Sequence, residues 1–125
     1  MKMKVNNQAI MLIISLFFYF ILEAKSQTHY IVGSWQLVES YIDGKLKNSY
    51  DEKTSLKIVF DKGNRMIDCT TADRSNYKLD GNLLEIGKAK YKILTLDNDT
   101  LVLTDLNSKY FERKLKYIRF EGKCN

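Results

Sequence analysis

From Ser34 to Phe120 the chain alternates apolar and polar residues in short runs, and nowhere holds the i, i+3, i+4, i+7 spacing of a long amphipathic helix. Because successive side chains on a strand point to opposite faces, this pattern calls for a sheet with one buried face. Eight runs read as strands: 35–42, 55–60, 65–69, 76–79, 83–86, 89–96, 100–105 and 110–120. Between them stand Asp43-Gly44, Lys62-Gly63-Asn64, Asp80-Gly81, Asp97-Asn98-Asp99 and Asn107-Ser108, residues that accept the positive φ of tight turns. Strands joined by hairpins lie side by side and antiparallel. The expected fold is therefore all-β, an eight-stranded antiparallel up-and-down meander whose one longer loop runs from Gly44 to Thr54. Closing the meander into a barrel removes both exposed edges and leaves an interior wide enough for side chains or one small ligand.

The chain has 125 residues, no proline, two cysteines and a single histidine, which fits one domain and excludes mechanisms that need two imidazoles. His29 precedes the first strand, where termini are usually mobile. Asp97 and Asp99 flank a turn, and Asp51-Glu52 reads as a solvated loop. There is no phosphate-binding glycine loop and no Cys/His metal spacing, so the expectation is a non-enzymatic protein with no cofactor and no metal. Lys2 and Lys4 precede an uncharged, mainly apolar run from Ala9 to Leu22, and Ala24-Lys25-Ser26 supplies the small residues of a cleavage site. Residues 1–26 thus read as a signal-peptide helix, with one domain over 27–125, secreted or periplasmic. The run is too short to span a bilayer, so no membrane span is expected after cleavage. Removing this segment takes Lys2, Lys4, Lys25 and Glu23 with it, leaving 17 basic and 14 acidic side chains of the original 20 and 15. So weak a field argues against nucleic acid as a partner.

Gly33-Ser34-Trp35 opens the first strand and Arg119 lies near the end of the last. The triplet resembles the G-x-W signature of the lipocalins, and Arg119 resembles their C-terminal basic residue; among them the chain is most similar to the short bacterial lipocalin-like domains. The resemblance implies a small closed barrel that carries a hydrophobic ligand. It also has a physical reason. In a closed meander the start of the first strand meets the end of the last, so Trp35 can plug one end while the Arg119 guanidinium stacks on it. Gly33, Trp35 and Arg119 are accordingly the expected closure. Thr104-Asp105 followed by Tyr110 is similar to a second family signature of a closed-end turn, yet the strand count sets this turn at the open end.

Strand alternation puts Leu56, Ile58 and Phe60 on one face, with Lys57 and Val59 on the other. Taking the bulkier apolar phase elsewhere, Trp35, Phe60 and Arg119 fall toward the closed end, while Tyr41, Leu56, Tyr77, Tyr91, Leu103 and Phe111 or Arg113 fall toward the open one. Tyrosines there suit an amphipathic ligand, or they simply fill the core. Arg113 shares its phase with Phe111, Leu115 and Tyr117; it either receives a ligand carboxylate, pairs with Glu39, which points inward if Trp35 does, or reaches solvent. Export favours a Cys69–Cys124 disulfide over two thiols, but the count sets Cys69 near the open end and Cys124 beyond the closed one. Two functions stand: an exported binder or transporter of a small hydrophobic or amphipathic ligand, and a protein-protein interaction module with a filled barrel, engaging its protein partner through the first loop or the last strand.

Overall fold

A computed structural model describes residues 30–122 and Cys124; the expected signal peptide lies outside them. Nine strands follow in order: β1 Gly33–Ile42, β2 Lys45–Ser49, β3 Lys57–Phe60, β4 Arg65–Asp68, β5 Arg74–Asp80, β6 Leu83–Ile86, β7 Ala89–Leu96, β8 Thr100–Asp105 and β9 Arg113–Arg119. Every pairing is antiparallel, β3 to β9 pair in sequence, and β1 bonds β3 on one edge and β9 on the other. Eight strands therefore close into a barrel, as the alternation and hairpin turns require.

β2 corrects the long loop expected from Gly44 to Thr54. Asp43 (φ 51°) and Gly44 (φ 78°) are both left-handed, the geometry of a two-residue hairpin turn whose twist matches its strands. β2 then pairs with β1 from Glu39 to Ile42, beyond Gln36, where β3 stops. All five of its residues are exposed. A strand without a buried face has no period-two signal, and this one exists because it satisfies an edge that β3 leaves open.

The ring closes where the termini of the barrel meet. β1 and β9 pair from Trp35↔Arg119 to Ile42↔Arg113. Trp35 is fully buried, and its indole N–H donates to the Ile31 carbonyl at 2.8 Å. The Arg119 guanidinium lies 4.2 Å from the indole centroid and donates to the carbonyls of Asn98, Val32 and Tyr30. Five N–H donors in a rigid fork suit a ring of carbonyls that no lysine could reach together. Gly33 is needed beside it: its φ is +135°, and a Cβ there would collide with the guanidinium. Gly33→Ala is expected to cost about 1–3 kcal/mol in urea denaturation, from backbone strain and displacement of Arg119; an unchanged midpoint would contradict this role.

A register shift between Leu37 and Glu39 opposite β9 is a bulge at Val38, which reverses the alternation beyond it. Trp35, Leu37 and Ser40 are buried, while Glu39 and Tyr41 face outward. Glu39 thus sits 3.5 Å from the Lys116 ammonium on the outer wall rather than inside near Arg113. Tyr41 is a correction for the same reason: it is on the outer face, donating its hydroxyl to Glu39 at 2.9 Å.

Cys69 and Cys124 form a disulfide with Cα atoms 4.9 Å apart. The expected distance between them vanishes because β3 and β4 have only four residues each. Cys69 donates its N–H to the Lys57 carbonyl, level with Gln36 and so close to the Trp35 end instead of the open one. Beyond β9 the tail crosses the outer wall: Phe120 N–H bonds the Ser34 carbonyl at 3.1 Å, and the Ser34 hydroxyl donates to Gly122 at 2.9 Å.

Candidate functional site

With Trp35 at one end, the inward side chains at the other end come chiefly from β7, β8 and β9. Tyr91 pairs with Asp105, Ile93 with Leu103, and Leu103 with Leu115. Since Thr104 faces Lys114, Asp105 lies beside Arg113, and the carboxylate meets the guanidinium at 4.0 Å. Arg113 is the outer member, 48% exposed against 18% for Asp105. A pair this long and wet adds little stability; its importance is that Asp105 offsets the guanidinium charge.

Deeper in the barrel, Tyr117 is 8% exposed. Burial pushes its phenol well above the usual value, and Tyr91, Arg113, Asp68 and Tyr50 lie within electrostatic reach of it. Tyr50 follows β2, bonds the Val38 carbonyl through its N–H, and packs on the core. Asp68 ends β4 opposite inward Ile58; one of its oxygens accepts the N–H groups of Thr70 and Thr71 at 2.8 and 3.4 Å. Among the described residues the Tyr117 hydroxyl makes no hydrogen bond, and no fully buried polar side-chain atom lacks a partner. Its oxygen is therefore not fully enclosed by protein atoms.

Of the residues read from sequence, Tyr91, Leu103 and Arg113 meet in this region, with Leu103 only 1% exposed as part of the core. Leu56 stands apart, 48% exposed. It precedes β3, and its carbonyl takes the Leu37 N–H at the junction where the edge of β1 passes from β3 to β2. Tyr77 is at the opposite end from the one expected. β5 runs past the start of β4, where Arg65 faces Asn76, so Tyr77 reaches the closed end, 4.9 Å edge-on to Phe60, with its hydroxyl donating to the Asp61 carbonyl at 2.8 Å. Tyr50 was hidden within the supposed loop; the Asp43-Gly44 turn, followed by residues that could pair back on β1, was the available signal. The turn after β8 is at the open end and its Tyr110 is 94% exposed, so the similarity of Thr104-Asp105 and Tyr110 to a closed-end signature is coincidental. Asp97 accepts the N–H groups of Asp99 and Thr100. The Thr54 N–H and hydroxyl hold the Asp51 carboxyl below the usual range. Both are turn carboxylates.

Besides the interior, Ser34, Val59, Ile67, Asp68, Arg74 and the disulfide border an open cleft of about 400 Å³ on the outer wall. It is separated from Tyr117 by the sheet.

The family model of the lipocalin-like domain matches residues 31–103. The chain belongs to the lipocalin-like domain family. In this lipocalin-like protein the match begins just before Gly33 and ends inside β8, so Arg113 and Arg119 lie beyond it and rest on geometry alone. The fold suggests small-ligand binding in general, and the family is typically one of non-enzymatic binding proteins. No curated protein matches the chain. The disulfide is compatible with an extracellular or periplasmic location.

Burial raises Tyr77, Tyr91 and Tyr117 above the ordinary phenol value of 10. An acid whose folded pKa is raised contributes stability that is whole below its unfolded pKa and lost as pH rises beyond it. Absorbance titration of the folded protein should show these phenols ionising late, with Tyr117 the last, and stability falling above about pH 10. A single ionisation step at the ordinary value would contradict their burial.

Proposed function

We propose that this protein is an exported, non-enzymatic carrier or sensor of a small apolar ligand that enters the open end of the barrel, among Tyr50, Tyr91, Leu103, Arg113 and Tyr117. The observation that carries this reading is the Tyr117 hydroxyl, which makes no hydrogen bond among the described residues although its side chain is in the inward phase of β9 and only 8% exposed. A phenol so placed offers a ring to an apolar body and one hydroxyl to a polar group. The basic and apolar leader of residues 1–26 and the Cys69–Cys124 disulfide support export.

Native mass spectrometry of freshly purified protein tests the reading. A co-purifying mass, or saturable uptake of an added amphiphile that Tyr117→Phe weakens, is the expected result. A spectrum that stays ligand-free, with no uptake, would count against it.

The rim favours a second reading. Leu106, Tyr110 and Phe111 are 50%, 94% and 42% exposed on the loop between β8 and β9. Such a patch suits a protein partner, and pull-down with and without residues 45–53 distinguishes engagement through the β2 hairpin from engagement through this loop.

A further inference from the structure

The strand connections at the open end are tied into one rim. The Asp43 N–H donates to the Glu112 carbonyl at 2.8 Å, and the Glu112 N–H to the Asp43 carboxylate at 2.9 Å, which joins the β1–β2 turn to the loop between β8 and β9. The Lys90 N–H donates to the Asn107 side-chain oxygen at 2.7 Å, and the Leu106 N–H to the Lys90 carbonyl at 2.9 Å. The β6–β7 turn thus meets the same loop. Basic charge gathers on this rim: residues 43–47, 86–90 and 105–114 carry seven basic side chains against three acidic ones, whereas the rest of residues 30–122 carries nine against eleven. Of the three acids, Asp43 accepts the Glu112 N–H and Asp105 meets Arg113. The six rim lysines make no ion pair among the described residues. At the Trp35 end the turns hold Asp61, Asp80, Asp97 and Asp99 against Lys62 and Arg65, so the barrel is polarised along its axis. Apolar surface gathers on the rim as well. Six large apolar side chains are exposed among the described residues, and four of them, Leu46, Leu106, Tyr110 and Phe111, stand there.

We propose that this rim docks the protein, mouth first, on the surface of an anionic lipid bilayer. The docking is independent of what the interior holds. A protein partner fits the rim less well, because lysine is depleted from the cores of protein interfaces, and here Lys45 and Lys47 flank Leu46 while Lys109 precedes Tyr110. At a bilayer the same neighbours cooperate: the exposed rings and leucines enter the headgroup region, and the lysine stems lie along them with their ammonium groups at the phosphates. The acidic turns of the opposite end are repelled by the same surface, which orients the approach.

Co-sedimentation with vesicles of phosphatidylcholine alone, and of phosphatidylcholine containing about 30% phosphatidylglycerol, tests the docking. The protein is expected to bind the anionic vesicles about tenfold more tightly than the neutral ones and to be released by salt. Lys88→Glu combined with Lys109→Glu should lower binding to the anionic vesicles about tenfold. Tyr110→Ser, at a side chain 94% exposed and so without cost to the fold, should weaken it several-fold. Lys62→Glu combined with Lys78→Glu makes the same change of net charge near the Trp35 end and should leave binding nearly unchanged. Equal binding to both vesicles would overturn the inference, as would a loss in the Trp35-end variant that matches the loss in the rim variant. Binding that the rim substitutions do not alter would belong to another part of the chain, residues 1–26 included, and would overturn it too. Absence of binding to either vesicle would overturn it and leave the rim to a protein partner.

Discussion

Replacing Trp35 with alanine is expected to cost about 3–5 kcal/mol, the range for emptying a large aromatic position in a core. Three losses coincide at that position. The indole is fully buried, so its removal leaves a cavity that the rigid end of the barrel cannot collapse to fill. The Ile31 carbonyl loses the N–H that meets it at 2.8 Å. Arg119 loses the ring 4.2 Å away, keeping its carbonyl contacts without the surface that orients them. Total stability of a domain is about 5–15 kcal/mol, so the substitution should remove a large share of it and lower the urea midpoint markedly. Trp35→Phe restores most of the volume without the N–H and should lose about 1–3 kcal/mol. Urea denaturation of the two variants separates plug from hydrogen bond; equal stability of wild type and Trp35→Ala would mean that the indole does not hold the end closed.

The second large effect is expected at the disulfide. Cys69 and Cys124 are 55 residues apart, and a crosslink of that span restricts the unfolded chain by about 4 kcal/mol in the chain-entropy treatment. Replacing both cysteines by serine should therefore cost about 2–4 kcal/mol. The folded barrel should stay intact, because the crosslink lies on the outer wall and the β1–β9 ladder closes the ring without it. The specific expectation is a lower urea midpoint with amphiphile affinity kept. A double-serine variant that binds nothing while still folded would show that the tail shapes the interior.

These expectations trace how much the residues disclose before any coordinates. Closure was legible because it depends on two side chains of unusual chemistry, Trp35 and Arg119, at positions that a meander must bring together. The faces of β3 were legible because its alternation is unbroken from Leu56 to Phe60. What failed has identifiable causes. The bulge at Val38 adds one residue to an otherwise regular strand and turns Tyr41 out; nothing in the local composition marks it, since the extra residue is an ordinary valine. β2 lacks an apolar face and is recognisable only from the turn before it. The level of Cys69 along the barrel depends on strand lengths, which turn residues bracket to within a few positions, and an error of that size moved it from one end to the other. Tyr77 misled for a related reason: β5 is offset along β4, a stagger that is a property of the whole ring.

The claim underlying the proposed function is that a ligand enters the barrel from the end opposite Trp35. Methyl-resolved NMR during titration with an amphiphile tests it most directly. Saturable shifts at Leu103 and Leu115, with Val59 and Ile67 on the outer wall unmoved, are the predicted result. Shifts confined to Val59 and Ile67 would place the ligand in the outer cleft and contradict the account.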